Sequence, residues 1–417
     1  LTSKLISTSL LIIVLMLTVK SATAKPWTVF DAVQKALSTH PQSEVAKSIL
    51  EEVKGENRSS LSLPAPTLTT RYNDIPLSKG LSDYEDKRIG IVQDFEFPLS
   101  YIWRTKLAEF TSEQARHESQ AVLLDLESEV RIAYLEAWVV SEQVRILEEY
   151  TAALRTFASQ IRRTAELGEV TQFDAQRAMM EVHKAENEMQ TFQRSKIAAF
   201  GKLTHLTNFD LTVIELVSPL ESDPIDTSRI RKSNAFETNP EALIAKAEIG
   251  ILSQEHKIAS YSWLPELELY YFQEYRRLDD DPDTWSIQLE LSIPIWFWWG
   301  GVGEIQSSKA RWKRIQADMA VYRLEFLSSW LQLSQELKSA FEQYAHYQQV
   351  LLPMTEDIYN RAKALYRLRE VDFLDVIRAQ RDLKRNQLRY IEVASDMYEN
   401  EIYLDRLRGF SIVVGID

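Results

Sequence analysis

Two periods of hydrophobic spacing divide the chain. Residues 285–293, WSIQLELSI, alternate polar and apolar, the pattern of a strand with one dry face. Residues 89–97, IGIVQDFEF, hold Ile89, Ile91, Phe95 and Phe97 on one side, with Gln93 as the exception. Residues 267–275 (LELYYFQEY) and 67–73 (TLTTRYN) carry a weaker form of the same alternation. Strands are therefore expected near 62–74, 86–98, 264–277 and 284–295, joined by polar turns at 73–88 and 276–283. Elsewhere the period is helical. Leu123, Val130, Ala137, Val144 and Thr151, interleaved with Leu126, Ala133, Val140 and Leu147, occupy a and d positions of a coiled coil. No proline lies between Leu99 and Ser218, and Gly168 and Gly201 are the only glycines there. Between Glu304 and Arg408 the only breaker is Pro353. A continuous helix over 103–166 would be about 95 Å long at about 1.5 Å per residue.

The pattern is written twice. Thr39-His40-Pro41 returns as Thr238-Asn239-Pro240, Ala46-Lys47 as Ala245-Lys246, Leu63-Pro64 as Leu264-Pro265, and Phe97-Pro98 as Ile293-Pro294. LGEVTQFDAQRAMMEV (167–182) returns as LREVDFLDVIRAQRDL (368–383). The order is kept and the offset stays between 196 and 201, far longer than a solenoid unit. The reading is a single elongated domain over 25–417 made of two repeats, about 27–209 and 237–417, with a linker at about 210–236. Each repeat opens with a helix. Thr28 is placed to cap 29–58 with Asp31 at the capping-box position, and its counterpart runs from about Glu241 to Ser260. A proline, two strands and a further proline follow, then a long helix. That helix breaks at the repeated motif and returns as 171–207 or 372–408. The motif is thus the turn of a helical hairpin, at the end remote from the strands.

Charge and composition narrow the setting. The formal charge is −13, which argues against nucleic acid as a partner, because polyanions need a basic face. Cysteine is absent, so there is no disulfide, thiolate site or lipid-anchor thiol. Lys4, the apolar run Leu10–Leu17 and Ala22-Thr23-Ala24 before Lys25 form the pattern of a secretory signal peptide over 1–24. No other stretch has the look of a transmembrane helix, so an exported chain either stays soluble or crosses a membrane as strands.

Strands of nine to eleven residues suit an outer-membrane barrel, although a small soluble sheet remains the plainer alternative. Tyr101, Trp103, Trp263, Trp296, Phe297, Trp298 and Trp299 flank the hairpins at one end, where an aromatic belt at the membrane interface is expected; a buried aromatic cluster is the other reading. Four strands cannot close a barrel, and open edges in lipid would leave backbone groups unsatisfied. Other protomers must supply the rest, with their helical hairpins packed side by side into a hollow tube.

This layout resembles the TolC family of outer-membrane efflux proteins across essentially the whole mature chain. The tip motifs ELGEVTQFDAQR and RLREVDFLDVIRAQRDL carry the resemblance best; family members commonly show G-x-[VI]-x-x-x-D-[LV]-x-x-[AS]-Q there. The resemblance implies a mainly α fold with a small β part: four transmembrane strands per protomer, and a homotrimer that completes a 12-stranded β-barrel above a periplasmic α-barrel. It implies outer-membrane lipid around the barrel, a periplasmic adaptor (membrane-fusion) protein, an inner-membrane pump of the RND type, and no cofactor. The adaptor would meet the tips at Leu167, Gly168, Glu169, Val170, Leu368, Arg369, Glu370 and Val371. Arg369 departs from the pattern where the first copy has Gly168. Asp372 and Asp375 match the aspartate pair that the family places at its periplasmic aperture. Three copies would ring a constriction with carboxylates, favouring cations, and opening would be an iris-like untwisting of the inner hairpins. The plainer reading of both aspartates is helix capping. Asp174, alone in the first copy, reads as a structural cap.

Little chemistry is written elsewhere. The six histidines are dispersed, and no P-loop, G-x-S-x-G or thiol nucleophile occurs. Gly300-Gly301-Val302-Gly303 reads as a flexible joint between strand and helix. The acidic run 279–283 reads as a solvated outer loop. No enzyme is expected. The chain reads as a passive exit duct for metal cations or drugs, leaning to the heavy-metal branch on its short loops and IPIWFWWGG junction. A type I protein-secretion duct and a pore-less periplasmic scaffold are the alternatives.

Overall fold

The computed structural model describes residues 26–78, 80–209, 215–219, 235–276, 282–293 and 297–413, without the side chains of 297–299. Thr28 opens the first helix as expected. Its hydroxyl accepts from Asp31 N–H at 3.2 Å, and Asp31 returns the bond to Thr28 N–H at 3.1 Å. The helix does not continue to residue 58. It splits into α1 (Val29–Thr39) and α2 (Pro41–Ser60). Pro41 forces extended backbone on the residue before it, and His40 sits at ψ 139°. The His40 ring then caps α2 through Gln42 N–H. In the second half Asn239 caps α5 (Pro240–Ser260) through Ala242 N–H at 2.7 Å, again with proline in the first turn.

The strands β1 (Thr67–Asn73), β2 (Asp86–Phe95), β3 (Glu266–Arg276) and β4 (Thr284–Ser292) form one antiparallel sheet in the order β1-β2-β3-β4. Each hairpin belongs to one half of the chain, and β2 joins β3 across the duplication. Residues directly opposite one another share a face. One face carries Leu68, Ile91, Leu269, Tyr271, Ile287, Leu289 and Leu291; the other carries Thr69, Arg88, Glu274, Gln288 and Ser286. Gln93 breaks the apolar alternation because its amide donates to Pro64 O at 2.9 Å. Gly90 is needed where it stands: a Cβ there would lie 2.2 Å from the Phe272 ring on β3.

Pro98 sits in the first turn of α3 (Pro98–Glu166), whose 69 residues span about 104 Å. α3 is the central beam. Seven of its nine a and d positions are buried, and Leu123 and Val140 are half-buried. One face packs Leu126, Val130, Ala133, Tyr134 and Ala137 against α1 and against Phe200, Leu203 and Leu206 of α4 (Gln172–Thr207). Another packs Leu135, Trp138, Val139 and Ile146 against Leu337 and Ala340 of α6 (Phe297–His346) and against Ile391, Met397, Tyr398 and Ile402 of α8 (Phe373–Leu407). Between α6 and α8 lie a π-helical turn, Tyr347–Leu351, and α7 (Leu352–Arg367). The glycine run is not a loop: Gly300, Gly301 and Gly303 belong to the first turns of α6, because glycine tolerates helical backbone even though it disfavours it. The leader 1–24, Trp296 and most of the run 279–283 fall outside the described residues.

Candidate functional site

The two hairpin turns are built alike. α3 ends on Leu167 and the chain reverses through Gly168 at φ +78°. Gly168 N–H donates to Ala165 O at 3.0 Å and Glu169 N–H to Thr164 O at 3.1 Å. This is the paired bonding that ends a helix on a left-handed residue. In the second turn Arg369 N–H donates to Tyr366 O and Glu370 N–H to Leu365 O, both at 3.0 Å. Arg369 adopts φ +60°. The departure from glycine therefore leaves the turn's geometry in place, at a cost of about 1 kcal/mol for a side chain in left-handed backbone. Its guanidinium has a use: Nη2 donates to Glu169 Oε2 of the other turn at 2.7 Å. Leu167 and Leu368 end the two helices 77 % and 68 % exposed. Val170 and Val371 are half-buried beside them.

The aspartates divide by position. Asp372 is the N-cap of α8, accepting from Phe373 N–H at 2.6 Å. Its counterpart in the first turn is Thr171, which caps α4 through Asp174 N–H at 3.1 Å. Asp174 accepts from the Thr171 hydroxyl at 2.7 Å, so Thr171 provides the cap and Asp174 supports it. Asp375 stands at the position equivalent to Asp174 and meets Arg378 at 3.1 Å. Both Asp372 and Asp375 are exposed. The Tyr366 phenol is pushed above its ordinary pKa by burial, then by the charges of Asp372 and Asp174.

Cross-links between the hairpins carry little signal in the sequence. Arg381 of α8 meets Glu181 of α4 at 2.7 Å, and Lys384 meets Glu188 at 2.8 Å. Glu181 is held below the usual carboxylate range: burial alone would raise it, and Lys184 and Arg381 together outweigh that. The Phe157 and Tyr366 rings meet edge to face at 5.2 Å. Arg381 and Glu181 do not occupy matching places in the repeats, which are offset by 201 here, so repetition gives no hint of the pair.

At the opposite end, Trp103 stacks on Tyr261 with centroids 4.4 Å apart. Tyr101 and Trp263 are exposed. Trp298 and Trp299 fall in the first turn of α6. On the polar sheet face, Asp94, Glu268 and Glu290 lie directly opposite one another on three adjacent strands. Among the described residues no helix is long and apolar enough to cross a membrane, and no group of three or more potential ligands is poised to hold a metal.

Residues 233–409 match the family described as Outer membrane efflux protein. The chain is 20 % identical over 391 residues, covering 93 % of it and 91 % of the relative, to the cobalt-zinc-cadmium resistance protein CzcC of Cupriavidus metallidurans. It is similar in fold to the outer membrane protein VceC of Vibrio cholerae, with TM-score 0.75 at 16 % identity over 92 % of this chain and 96 % of the other. CusC, described as forming a transmembrane channel, also matches with TM-score 0.75 and 16 % identity over 92 % of each chain.

Proposed function

We propose that this chain, which belongs to the TolC-like outer membrane efflux proteins, is the exit duct of a tripartite pump that exports metal cations. It is a conduit in the outer membrane that extends into the periplasm, and not an enzyme. The observation that carries the duct reading is the sheet. Four strands present one mainly apolar face, interrupted by Gln93 and Gln273, and one mainly polar face, and among the described residues nothing pairs with the outer edges of β1 and β4. In lipid those edges must be paired. Three copies, contributing four strands each, close a 12-stranded barrel with the apolar face outward. Tyr101, Trp103 and Trp263 then lie at the membrane interface; Trp296, Trp298 and Trp299 are assigned to the same belt from the sequence alone.

The same assembly brings three tips together. Leu167, Gly168, Glu169, Val170, Leu368, Arg369, Glu370 and Val371 form the surface offered to a periplasmic adaptor, itself coupled to an inner-membrane pump of the RND type. Asp372 is a cap, yet a cap that remains exposed can also present its charge. With Asp375 it places up to six carboxylates around the threefold axis. The acidic row on the sheet's polar face adds a second band inside the barrel. Two acidic bands favour cations over anions. The metal reading is supported by that polarity and by the resistance to cobalt, zinc and cadmium named for the CzcC relative.

Growth of a deletion strain across divalent metals, copper, silver, hydrophobic drugs and detergents tests the cargo. Sensitivity to metals alone is expected; sensitivity to drugs and detergents with metal tolerance intact would assign the duct to a multidrug pump. In planar bilayers, D372N/D375N is expected to lower cation preference about two- to fivefold with the pore still formed, as removal of an acidic ring should. Unchanged conductance and selectivity would remove these residues from the constriction.

A further inference from the structure

The junction between strand and helix in the first repeat holds a cleft of about 400 Å³, walled by Leu63, Pro64, Phe95, Glu96, Tyr101 and Arg104. Proline shapes both of its sides. Pro64 stiffens the approach to β1, and Pro98 starts α3. The Gln93 amide donates to Pro64 O at 2.9 Å and fastens that approach to β2. Phe95 follows Ile91 at strand spacing, so it belongs to the apolar face of the sheet. Leu63, Phe95 and Tyr101 are exposed, as are Leu68 and Ile91 farther along the strands. The cleft thus continues into an open apolar path, and its size is that of a small-ligand site.

Two opposite charges sit in this apolar setting. Arg104 of α3, half-buried, donates to the exposed Glu96 carboxylate. Phe97, the N-cap of α3, offers no side-chain acceptor to the N–H groups of the first turn, and such donors favour an anion. A negative group is therefore suited to the Arg104 side and a positive group to the Glu96 side. The next groove along α3 shares the Leu61 wall and presents Glu109 and Glu113, so a purely anionic ligand is a poor match. The duplication shows that the pair is an addition. At the offset of 196 that relates Phe97-Pro98 to Ile293-Pro294, Glu96 corresponds to Ser292 and Arg104 to Gly300. The second junction is built without these charges, so they are not a requirement of the strand-to-helix turn.

We propose that this cleft binds one phospholipid with a primary-ammonium headgroup, of the phosphatidylethanolamine class. The phosphate lies against Arg104 and the first turn of α3, the ammonium against Glu96, and an acyl chain along Leu63, Phe95, Ile91 and Leu68. The inference rests on the duct reading, which puts the apolar sheet face in lipid and Tyr101 at the interface. Basic pockets at that level recognise lipid headgroups. Arg104 and Glu96 already pair, so a headgroup dipole laid antiparallel to them adds charge-assisted bonds and leaves neither side chain without a partner. A choline headgroup has no N–H to donate to Glu96, and a glycerol headgroup has no cation, so both are weaker ligands.

Native mass spectrometry of the purified full-length protein tests this, with phosphatidylethanolamine, phosphatidylcholine and phosphatidylglycerol of matched acyl chains supplied in turn. One phosphatidylethanolamine per protomer is expected to be retained, in preference to the other two by about tenfold, as one charge-assisted hydrogen bond should give. R104Q and E96Q are each expected to erase that preference. E96R/R104E keeps an ion pair in the cleft and reverses its direction. It is expected to match the unsubstituted chain in circular dichroism and sedimentation and still to lose the lipid; the single variants decide the matter if the reversal does not fold. Equal retention of the three lipids, or a preference unmoved by the variants, would overturn the site. Displacement of the lipid by inorganic phosphate would make it an anion site and overturn the lipid assignment. Flotation with vesicles of phosphatidylethanolamine and phosphatidylglycerol scores membrane insertion separately. A chain that inserts but shows no lipid preference overturns the cleft alone, and a chain that does not insert overturns the duct reading and the site with it.

Discussion

Replacing Arg131 by alanine is expected to destabilise the protein by about 3–5 kcal/mol, the cost of leaving buried carboxylates without their cation. Arg131 and Glu127 sit one turn apart on α3, and their side chains are 5 % and 1 % exposed. Arg131 Nη1 lies 2.9 Å from Asp405 Oδ2 on α8, one of the links between the two repeats. Asp405 also meets Arg408. Glu127 receives the hydroxyl of Ser411 and, at 2.9 Å, Ile412 N–H, which straps the end of the described chain across α3. Burial pushes the Glu127 carboxyl up; Ser411, Ile412 and Arg131 pull the other way, and Asp405 adds to the rise. A carboxyl raised on folding contributes stability below its unfolded pKa and loses it as pH rises through the folded value. Glu127 therefore disfavours the native state increasingly above the ordinary carboxylate range, and R131A should be worst at neutral to alkaline pH and partly rescued by mild acid. Thermal unfolding followed by circular dichroism at two pH values measures both effects. The triple variant E127L/R131M/D405L, which removes the charges together, should recover most of the loss. An R131A protein within about 1 kcal/mol of the unsubstituted chain would mean that water or another group already solvates these carboxylates.

That network also shows where the sequence stops being informative. Glu127 and Arg131 are spaced four apart among other charged residues of α3, a pattern shared by surface pairs such as Arg145 and Glu149. Only tertiary packing distinguishes them. The strands were legible because alternation has a single physical cause, one dry face; Gln93, the exception, was explained only by its bond to Pro64. The tip turns were legible from repetition and from Gly168. Arg369 was not, because glycine's backbone freedom is a preference and not a requirement, and the ion pair to Glu169 lies 200 positions away. His40-Pro41 is visible as a repeated motif, but the helical period continues across it, and only the extended backbone that Pro41 forces on His40 splits the helix. Pro353 stood out as the only breaker in its stretch; the π turn before it follows from proline sterics, which a heptad count does not contain. The roles of Asp372 and Asp375 could be posed from sequence as cap or aperture. The fold shows that Asp372 caps and stays exposed, so the two roles are compatible.

The double substitution L324D/L331D is expected to abolish the proposed trimer while leaving the helical content of the chain nearly unchanged. Val321, Leu324, Leu327 and Leu331 recur every three or four residues along α6, with Leu324 and Leu331 70 % and 68 % exposed. Neighbours at that spacing share one side of a helix. The opposite side already has its partners: Phe326 meets Phe236 edge to face at 5.2 Å, and Leu337 and Ala340 lie in the core with α3 and α8. A continuous apolar stripe of this kind on a chain with open sheet edges marks a surface that another copy covers. Burying each leucine contributes about 1.5–3 kcal/mol. Two leucines at each of three interfaces make that about 9–18 kcal/mol per trimer, before the added cost of placing a carboxylate in an apolar contact. K338E, an exposed change on the same helix, serves as the control and should assemble normally. Sedimentation in detergent reports the oligomer, and far-ultraviolet circular dichroism reports the helices. A trimer that survives L324D/L331D would move the contact between copies to another face of the hairpins and leave the α6 stripe to be covered by a different partner.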